Sequence, residues 1–355
     1  MTPARTSARE PGLPVVGTGA PSALTDRHAR TIRYLRVSVT DRCNYRCAYC
    51  MPAEGWAMSP RAEVLRLEEI VTLVGHFAAL GVERIRLTGG EPLVRRGIVE
   101  LVRQIVAVPG IGEVAMTTNG HLLPSMAAEL YAAGLRGLNV SLDSLDPHRF
   151  ATLTRGGDLA RVLAGLDAAA SAGFQDIKVN VVVVAGQNDH ELADLAEFCW
   201  ERDIQPRFIE LMPIGQLEFA RPENVVTTDR MLADVGKRYH LLPSGNECGT
   251  NPRGPAKYWR VTEGRHAGRR LGIISPLSDD GFCATCNRGR LTSLGGFRPC
   301  LGNDEEISLR DALRGGRSAH EIETLIREAV HGKLAAHNMH DVARAPRDAM
   351  TGIGG

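Results

Sequence analysis

From residue 33 onward, short β-branched runs alternate with stretches that carry apolar residues at helical spacing, the pattern of repeated βα units around a parallel sheet. The candidate strands are 33–39, 83–88, 113–118, 137–142, 176–184 and 205–211. Between the first two, Leu67, Ile70, Val71, Val74 and Leu80 share one helical face, and Gly81 stands where a helix end wants positive φ. Further helices are predicted over 95–107, 124–133, 158–172 and 190–202. Six βα units are fewer than the eight of a closed barrel, so the sequence predicts an α/β chain with an open side. Beyond residue 225 the alternation fails and gives way to a helix, a Gly/Pro-rich stretch from 243 to 255, and short strands. The predicted organisation is a disordered extension over 1–30, the βα region over 31–225, and a C-terminal α+β appendage over 226–355 that covers the opening.

The first strand runs directly into Cys43, Cys47 and Cys50, spaced C-x3-C-x2-C with the aromatic Tyr49 before the last thiol. A cubane 4Fe-4S cluster normally takes four thiolates, so three close cysteines leave one iron open to another ligand. A structural metal site closes that position, and a zinc knuckle is the alternative reading of the triplet. No Cys or His follows within a short loop to complete a tetrahedral site. A loop at the C-terminal end of a strand is also where parallel α/β folds collect their chemistry.

The segment resembles the radical S-adenosylmethionine (SAM) enzymes, whose signature has this spacing and this aromatic. The resemblance implies a partial (βα)6 TIM-like barrel. It also implies that the open iron chelates the amino and carboxylate groups of SAM, and that one-electron reduction yields a 5'-deoxyadenosyl radical that abstracts hydrogen from a substrate. Tyr49 matches the position that lies against the SAM adenine.

The predicted strand ends are unusually polar. Strand two closes in Arg86-Leu87-Thr88-Gly89-Gly90-Glu91-Pro92, where two glycines permit close backbone approach to a ligand. A Gly-Gly turn into a helix is the plainer alternative, while similarity to the superfamily's GGEP motif implies Gly90 at the SAM amino group. Strand three ends in Thr117-Thr118-Asn119-Gly120 and strand four in Ser141-Leu142-Asp143. Ser or Thr there can simply cap a helix, whereas the resemblance implies Ser141 at SAM and Thr117 in the substrate pocket. Strand six carries Arg207 and leads into Met212, which the resemblance places at SAM.

Formal charge is +1 with 23% charged residues, which argues against a nucleic-acid partner or a membrane-attracted surface. No apolar run approaches the ~20 residues of a membrane span, and the Pro- and Gly-rich start lacks the apolar core of a secretory signal. Eight cysteines in such a chain predict a reducing, cytoplasmic setting and metal ligation in place of disulfides. Only Lys178, Lys237, Lys257 and Lys333 among the 42 basic residues are lysines. Lys178 lies in strand five in phase with Asn180 and Val182, facing the barrel, where a lysine is costly without an anion. A substrate phosphate is the natural partner, and a surface lysine on an edge strand is the alternative.

A second triplet, Cys283, Cys286 and Cys300, reads C-x2-C-x13-C and encloses Arg288-Gly289-Arg290. By spacing it is either another three-thiolate site or a zinc site completed by Cys248, while Cys199 shares a helix face with Leu192 and Leu195 and reads as a core thiol. With both triplets and the GGEP stretch, residues 33–355 resemble the radical SAM family that cyclises GTP at the start of molybdenum cofactor biosynthesis. The resemblance implies a second 4Fe-4S cluster, ligated by Cys283, Cys286 and Cys300, whose open iron holds the guanine base. It implies substrate contacts at Arg36, Arg86, Thr117, Lys178, Arg207, Arg288, Gly289 and Arg290, a catalytic set of Cys43, Cys47 and Cys50 together with Arg288 and Arg290, and a terminal Gly354-Gly355 that reaches the site. Abstraction of the 3' hydrogen of GTP, C3'-C8 bond formation, a flavodoxin- or ferredoxin-type electron donor and a downstream cyclic pyranopterin monophosphate synthase follow from the same resemblance, and a homodimer is left open. A triphosphate carries about four negative charges, which converging guanidiniums suit. Two alternatives stand beside this reading: a radical SAM peptide-modifying enzyme whose auxiliary cluster carries electrons, and a zinc-stabilised binding protein.

Overall fold

A computed structural model describes residues 23–215, 221–246, 254–339, 350 and 352–353. Strands and helices alternate as β1 (Tyr34–Ser38), α1 (Leu67–Ala79), β2 (Arg84–Thr88), α2 (Ile98–Val106), β3 (Glu113–Thr118), α3 (Leu123–Ala132) and β4 (Gly137–Ser141). They continue through α4 (Pro147–Thr154), α5 (Leu159–Ser171), β5 (Asp176–Val183), α6 (Leu192–Trp200) and β6 (Gln205–Glu210). Strands β1 to β6 pair in sequence order and all in parallel, as the partial barrel requires. One face of each strand packs under the helices, with Leu35, Val37, Ile85, Leu87, Val114, Met116, Leu138 and Val140 all buried.

The remaining elements are α7 (Thr228–Gly236), β7 (Leu241–Asn246), β8 (Lys257–Val261), β9 (Arg270–Ile274), β10 (Arg288–Leu291), β11 (Gly296–Arg298), β12 (Ile307–Ser308), α8 (Leu309–Arg314) and α9 (Ala319–His331). These strands extend the same sheet at both edges. β9 lies parallel on β6 and β10 parallel on β1, giving the order β12-β11-β10-β1-β2-β3-β4-β5-β6-β9-β8-β7. The parallel part therefore holds two strands more than the alternation reveals. The reason is local: β9 is reached through the antiparallel pair β7-β8, and β10 is four residues long, so neither sits in a strand–helix repeat.

Helix α1 shows how the sequence sets an element. Glu69 accepts the backbone N–H of Arg66 at 2.8 Å in a capping box, and Gly81 at φ +90° turns the chain after the last helical turn. Its buried face carries Ile70, Leu73, Val74 and Phe77. Phe77 meets Phe297 of β11 with ring centroids 5.0 Å apart. Burying one such ring is worth roughly 1.5–3 kcal/mol, more than the surface ion pairs around it provide.

Two segments depart from the sequence expectation. Residues 23–30 fall within the predicted disordered extension, yet Leu24 is buried and Arg30 bonds Asp26 at 2.6 Å. The Arg30 guanidinium also donates to the carbonyls of Cys283, Leu334 and Ala335, so this stretch docks on the C-terminal part of the chain. Helix α4 interrupts the long connection between β4 and α5. Asp146 caps it by accepting from Arg149 N at 2.7 Å, and Pro147 occupies its first turn.

Candidate active site

The loop that carries the first cysteine triplet is anchored from two sides. Arg46 N and Ala48 N donate to the carbonyls of Thr154 and Leu153 at the end of α4, at 3.2 and 2.9 Å. On the other side, Gly90 N and Glu91 N donate to Thr40 and Arg42 carbonyls at 2.8 Å each. The double glycine has a reason the sequence alone does not reveal: a Cβ on Gly90 would lie 2.3 Å from the Arg42 carbonyl oxygen, and one on Gly89 2.6 Å from that of Thr40. No side chain fits between strand two and the cysteine loop. Glu91 then ties β2 to β3, accepting from Thr118 Oγ1 and Asn119 N at 2.7 Å; burial lifts its carboxyl to about 7.

Burial pushes the Cys43 thiol to about 11, the Cys50 thiol to about 12 and Cys47 well above the usual range. Such thiols are protonated unless a cation holds them as thiolates, and metal ligation supplies that charge. Tyr45 N points at Cys43 Sγ at 3.4 Å, the kind of backbone donor a ligated sulfur accepts.

Tyr49 is fixed by Asp143: its hydroxyl donates to Asp143 Oδ2 at 2.5 Å, while Val182 N donates to Oδ1 at 2.9 Å. Burial raises the Asp143 carboxyl to about 6 against the pull of those two bonds. Sequence reasoning assigned Asp143 no role, although a carboxylate two residues past a strand end was the signal. Ser141, Gly90 and Met212 line the same part of the cavity as Tyr49.

The second triplet opens into the same cavity as the first: Cys43, Cys47, Cys50, Cys283, Cys286 and Cys300 all line it. Lys333, just past α9, is buried and donates to Cys286 Sγ at 3.3 Å and to the Arg288 carbonyl at 2.7 Å. Burial alone would raise the Cys286 thiol, but Arg288 and Lys333 outweigh it and hold it at about 6. Lys333 was missed as a site residue even though it is one of only four lysines. Cys248 and Gly354-Gly355 lie outside the described residues. Met350 lines the cavity, and Ile353 packs with Ile214 and Met339 beside it.

Between the triplets the pairing of strands sets a basic wall. β10 brings Arg288 level with Tyr34 and Arg290 level with Arg36, and β2 brings Arg86 level with Arg36 from the other side. Arg86 Nε donates to the Tyr34 hydroxyl, and Arg207 Nε donates to the Tyr258 hydroxyl at 2.9 Å. Burial, with Arg86 and Arg288 nearby, lowers the Arg36 guanidinium to about 10 despite the opposing pull of Tyr34. Burial and then Arg36 and Arg288 depress Arg290 well below its usual value.

Of the residues assigned from sequence, Arg36, Arg86, Thr117, Arg207, Arg288 and Arg290 line the cavity, and Lys178 and Gly289 do not. Lys178 shares the inward phase of β5 but lies deeper, in an ion pair with Asp176. Burial pushes the Asp176 carboxyl up, yet Lys178, Arg207 and Arg86 bring it below its usual range. Gly289 points the other way, because alternate strand positions face opposite sides; a Cβ there would come 2.8 Å from the Phe297 ring. Cys199 is fully buried in the core, as expected of an apolar thiol.

The cavity has polar atoms still to be satisfied. Among the described residues, Thr117 Oγ1, Asn139 Oδ1, Asn180 Oδ1 and Arg86 Nη1 are buried with no hydrogen-bond partner, and all four residues line it. Buried polar groups in native proteins are almost always paired, so this is a cavity shaped for polar ligands. The open three-thiol loop, the tethered Tyr49 and the basic wall fit a cluster, SAM and a polyanion in turn.

Comparison with known proteins agrees. Residues 37–199 match the model of the radical SAM superfamily, and residues 204–339 match the model described as Molybdenum Cofactor Synthesis C. The GTP 3',8-cyclase of Pseudomonas savastanoi pv. phaseolicola is 48% identical over 321 residues, covering 90% of this chain and 94% of the relative. That of Pseudomonas putida is 48% identical over 318 residues, covering 89% and 93%. Among solved structures, Streptococcus suis SuiB bound to its precursor peptide SuiA aligns with a TM-score of 0.59 at 14% identity, over 89% of this chain and 77% of that one, a likeness of fold alone. On the strength of the close, near full-length relatives, the chain belongs to the GTP 3',8-cyclase family of radical SAM enzymes.

Proposed function

We propose that the chain converts GTP to (8S)-3',8-cyclo-7,8-dihydroguanosine 5'-triphosphate, the first step of molybdenum cofactor biosynthesis. The observation that carries this reading is that two cysteine triplets and the Arg36, Arg86, Arg288 and Arg290 wall line one cavity. Cys43, Cys47 and Cys50 would hold a 4Fe-4S cluster, which with SAM supplies a 5'-deoxyadenosyl radical when bound. Tyr49, oriented by Asp143, would lie against the adenine, with Gly90, Ser141 and Met212 completing the SAM site.

Cys283, Cys286 and Cys300 would hold a second 4Fe-4S cluster. Lys333 supports that assignment, since a lysine donating to a buried sulfur favours the thiolate that ligation needs. Arg36, Arg86, Arg207, Arg288 and Arg290, with Thr117, would bind and orient GTP so that its ribose C3' faces the first triplet and its base the second. Arg288 and Arg290 stand next to the second triplet and are the catalytic cations in this reading. Lys178 would act from below, through Asp176 and the cavity floor. Holding both reactants in one water-poor cavity supplies orientation that solution cannot. Electrons would come from a flavodoxin- or ferredoxin-type donor, and the product would pass to cyclic pyranopterin monophosphate synthase.

The deciding experiment supplies the anaerobically reconstituted chain with SAM, dithionite and GTP. Deoxyadenosine and a cyclised nucleotide should form together and depend on GTP. Failure to form either with both clusters loaded overturns the reading. Deoxyadenosine without a nucleotide product, but with modification of an added peptide, would favour the peptide-modifying alternative.

A further inference from the structure

Away from the cavity, helix α6 and the turn between β8 and β9 bring Glu197, Glu201 and His266 together, with their ligand atoms all within 4.8 Å of one another. None of the three lines the cavity. Glu197 and Glu201 are one helical turn apart, so their carboxylates project from the same face. His266 is 7% exposed and packs between the rings of Trp200 and Tyr239, at centroid distances of 5.4 and 5.8 Å. Its Nε2 is buried, has no hydrogen-bond partner among the described residues, and lies 3.8 Å from Glu197 Oε1. A buried imidazole nitrogen left without a partner beside two carboxylates is a ligand set in search of an acceptor.

The geometry points to a zinc-class divalent cation site formed by Glu197, Glu201 and His266, with Arg265 holding the carboxylates when no ion is bound. One imidazole with two carboxylates suits a borderline cation, whereas calcium and magnesium favour all-oxygen shells. Ligand distances of about 2.0–2.2 Å require the three groups to draw in by about an ångström, and water completes the shell. Arg265 Nη2 contacts Glu197 Oε1 and lies 3.4 Å from Glu201 Oε1, and Arg238 Nη1 lies 3.8 Å from Glu197 Oε2. The Arg265 side chain is 63% exposed and free to swing into solvent, so ion and guanidinium compete for the same oxygens.

The test is equilibrium dialysis of the cluster-loaded protein against zinc, with iron counted in the same samples. One zinc per chain should bind with iron unchanged. Arg265→Ala, which removes the competing cation, should bind zinc at least about tenfold more tightly, and Glu201→Gln, which removes a ligand, at least about tenfold more weakly, since even the loss of an outer-shell partner of a metal ligand costs about 10–100-fold. His266→Gln should abolish binding; Glu201 is half exposed, so its variant keeps the test alive if the histidine variant fails to fold. A purely structural ion-pair cluster would give no tightening in Arg265→Ala. Zinc taken up only as iron is lost, no zinc bound, or equal affinity in wild type, Arg265→Ala and Glu201→Gln overturns the site.

Discussion

Arg36 and Arg290 stand at the same level of neighbouring parallel strands, β1 and β10, with Arg86 on β2 extending the row from the far side of Arg36. Three guanidiniums in register on one face of a sheet repel one another, and like charges directly opposite are destabilising. Burial makes the repulsion worse by excluding water. Burial first, and then the neighbouring guanidiniums, lower both Arg36 and Arg290 from the usual arginine value. A polyanion would relieve the repulsion, as the proposed placing of GTP against this wall requires.

Arg290→Met separates the two effects. Losing one charged contact to phosphate or base should weaken GTP binding at least about tenfold, the equivalent of a charge-assisted hydrogen bond. Without ligand, the variant should melt at or above the wild-type temperature, because an apolar side chain replaces a buried cation among like charges. The rise in Tm on adding GTP should shrink accordingly. Calorimetric titration and paired melts read both quantities. Wild-type affinity in the variant would remove Arg290 from the substrate site.

Lys333 makes a second prediction, on the chain with no metal bound. Its Nζ sits 3.3 Å from Cys286 Sγ, and with Arg288 it holds that thiol at about 6 against the effect of burial. Cys286 should therefore alkylate at mildly acidic pH, where Cys50, at about 12, stays inert. In Lys333→Met the pH of half-maximal alkylation at Cys286 should move upward, since one of the two cations favouring the thiolate is gone. Mass-spectrometric mapping of iodoacetamide labelling across pH reads the shift directly. An unmoved profile would mean that Arg288 alone sets the thiolate.

The sequence made some parts of this molecule legible for physical reasons and hid others for reasons equally physical. Six strands announce themselves because each is a buried β-branched run set against a helix of 3.6-residue period. β9 and β10 do not, since their pairing with β6 and β1 is non-local and no repeat surrounds them. The same blindness conceals the alignment of Arg290 with Arg36, which depends on a register between residues 254 positions apart. Gly90 was legible as special but not for the reason found: its missing side chain admits the Arg42 carbonyl of the cysteine loop. Composition singled out rare lysines, yet only packing shows that Lys333 reaches a sulfur and that Lys178 reaches Asp176.

The acid sensitivity of the fold should trace in part to Glu69. Its carboxylate joins α1 to α8, accepting from Arg314 Nε at 2.9 Å and Nη2 at 3.0 Å as well as from Arg66 N. The Arg314 bonds are the main reason it sits at about 2, below the 4.5 of a free glutamate. A carboxyl depressed by folding contributes stability that is complete above its unfolded value and lost as pH falls through the folded one. Wild type and Glu69→Gln should therefore differ most near neutral pH, with wild type more stable. The gap should close as pH drops from about 4.5 towards 2. Urea unfolding of the cluster-free chains across that range measures it as a difference, which cancels the other carboxylates. Two curves that stay parallel down to the acid limit would show that the Arg314 contact contributes through shape and not through charge.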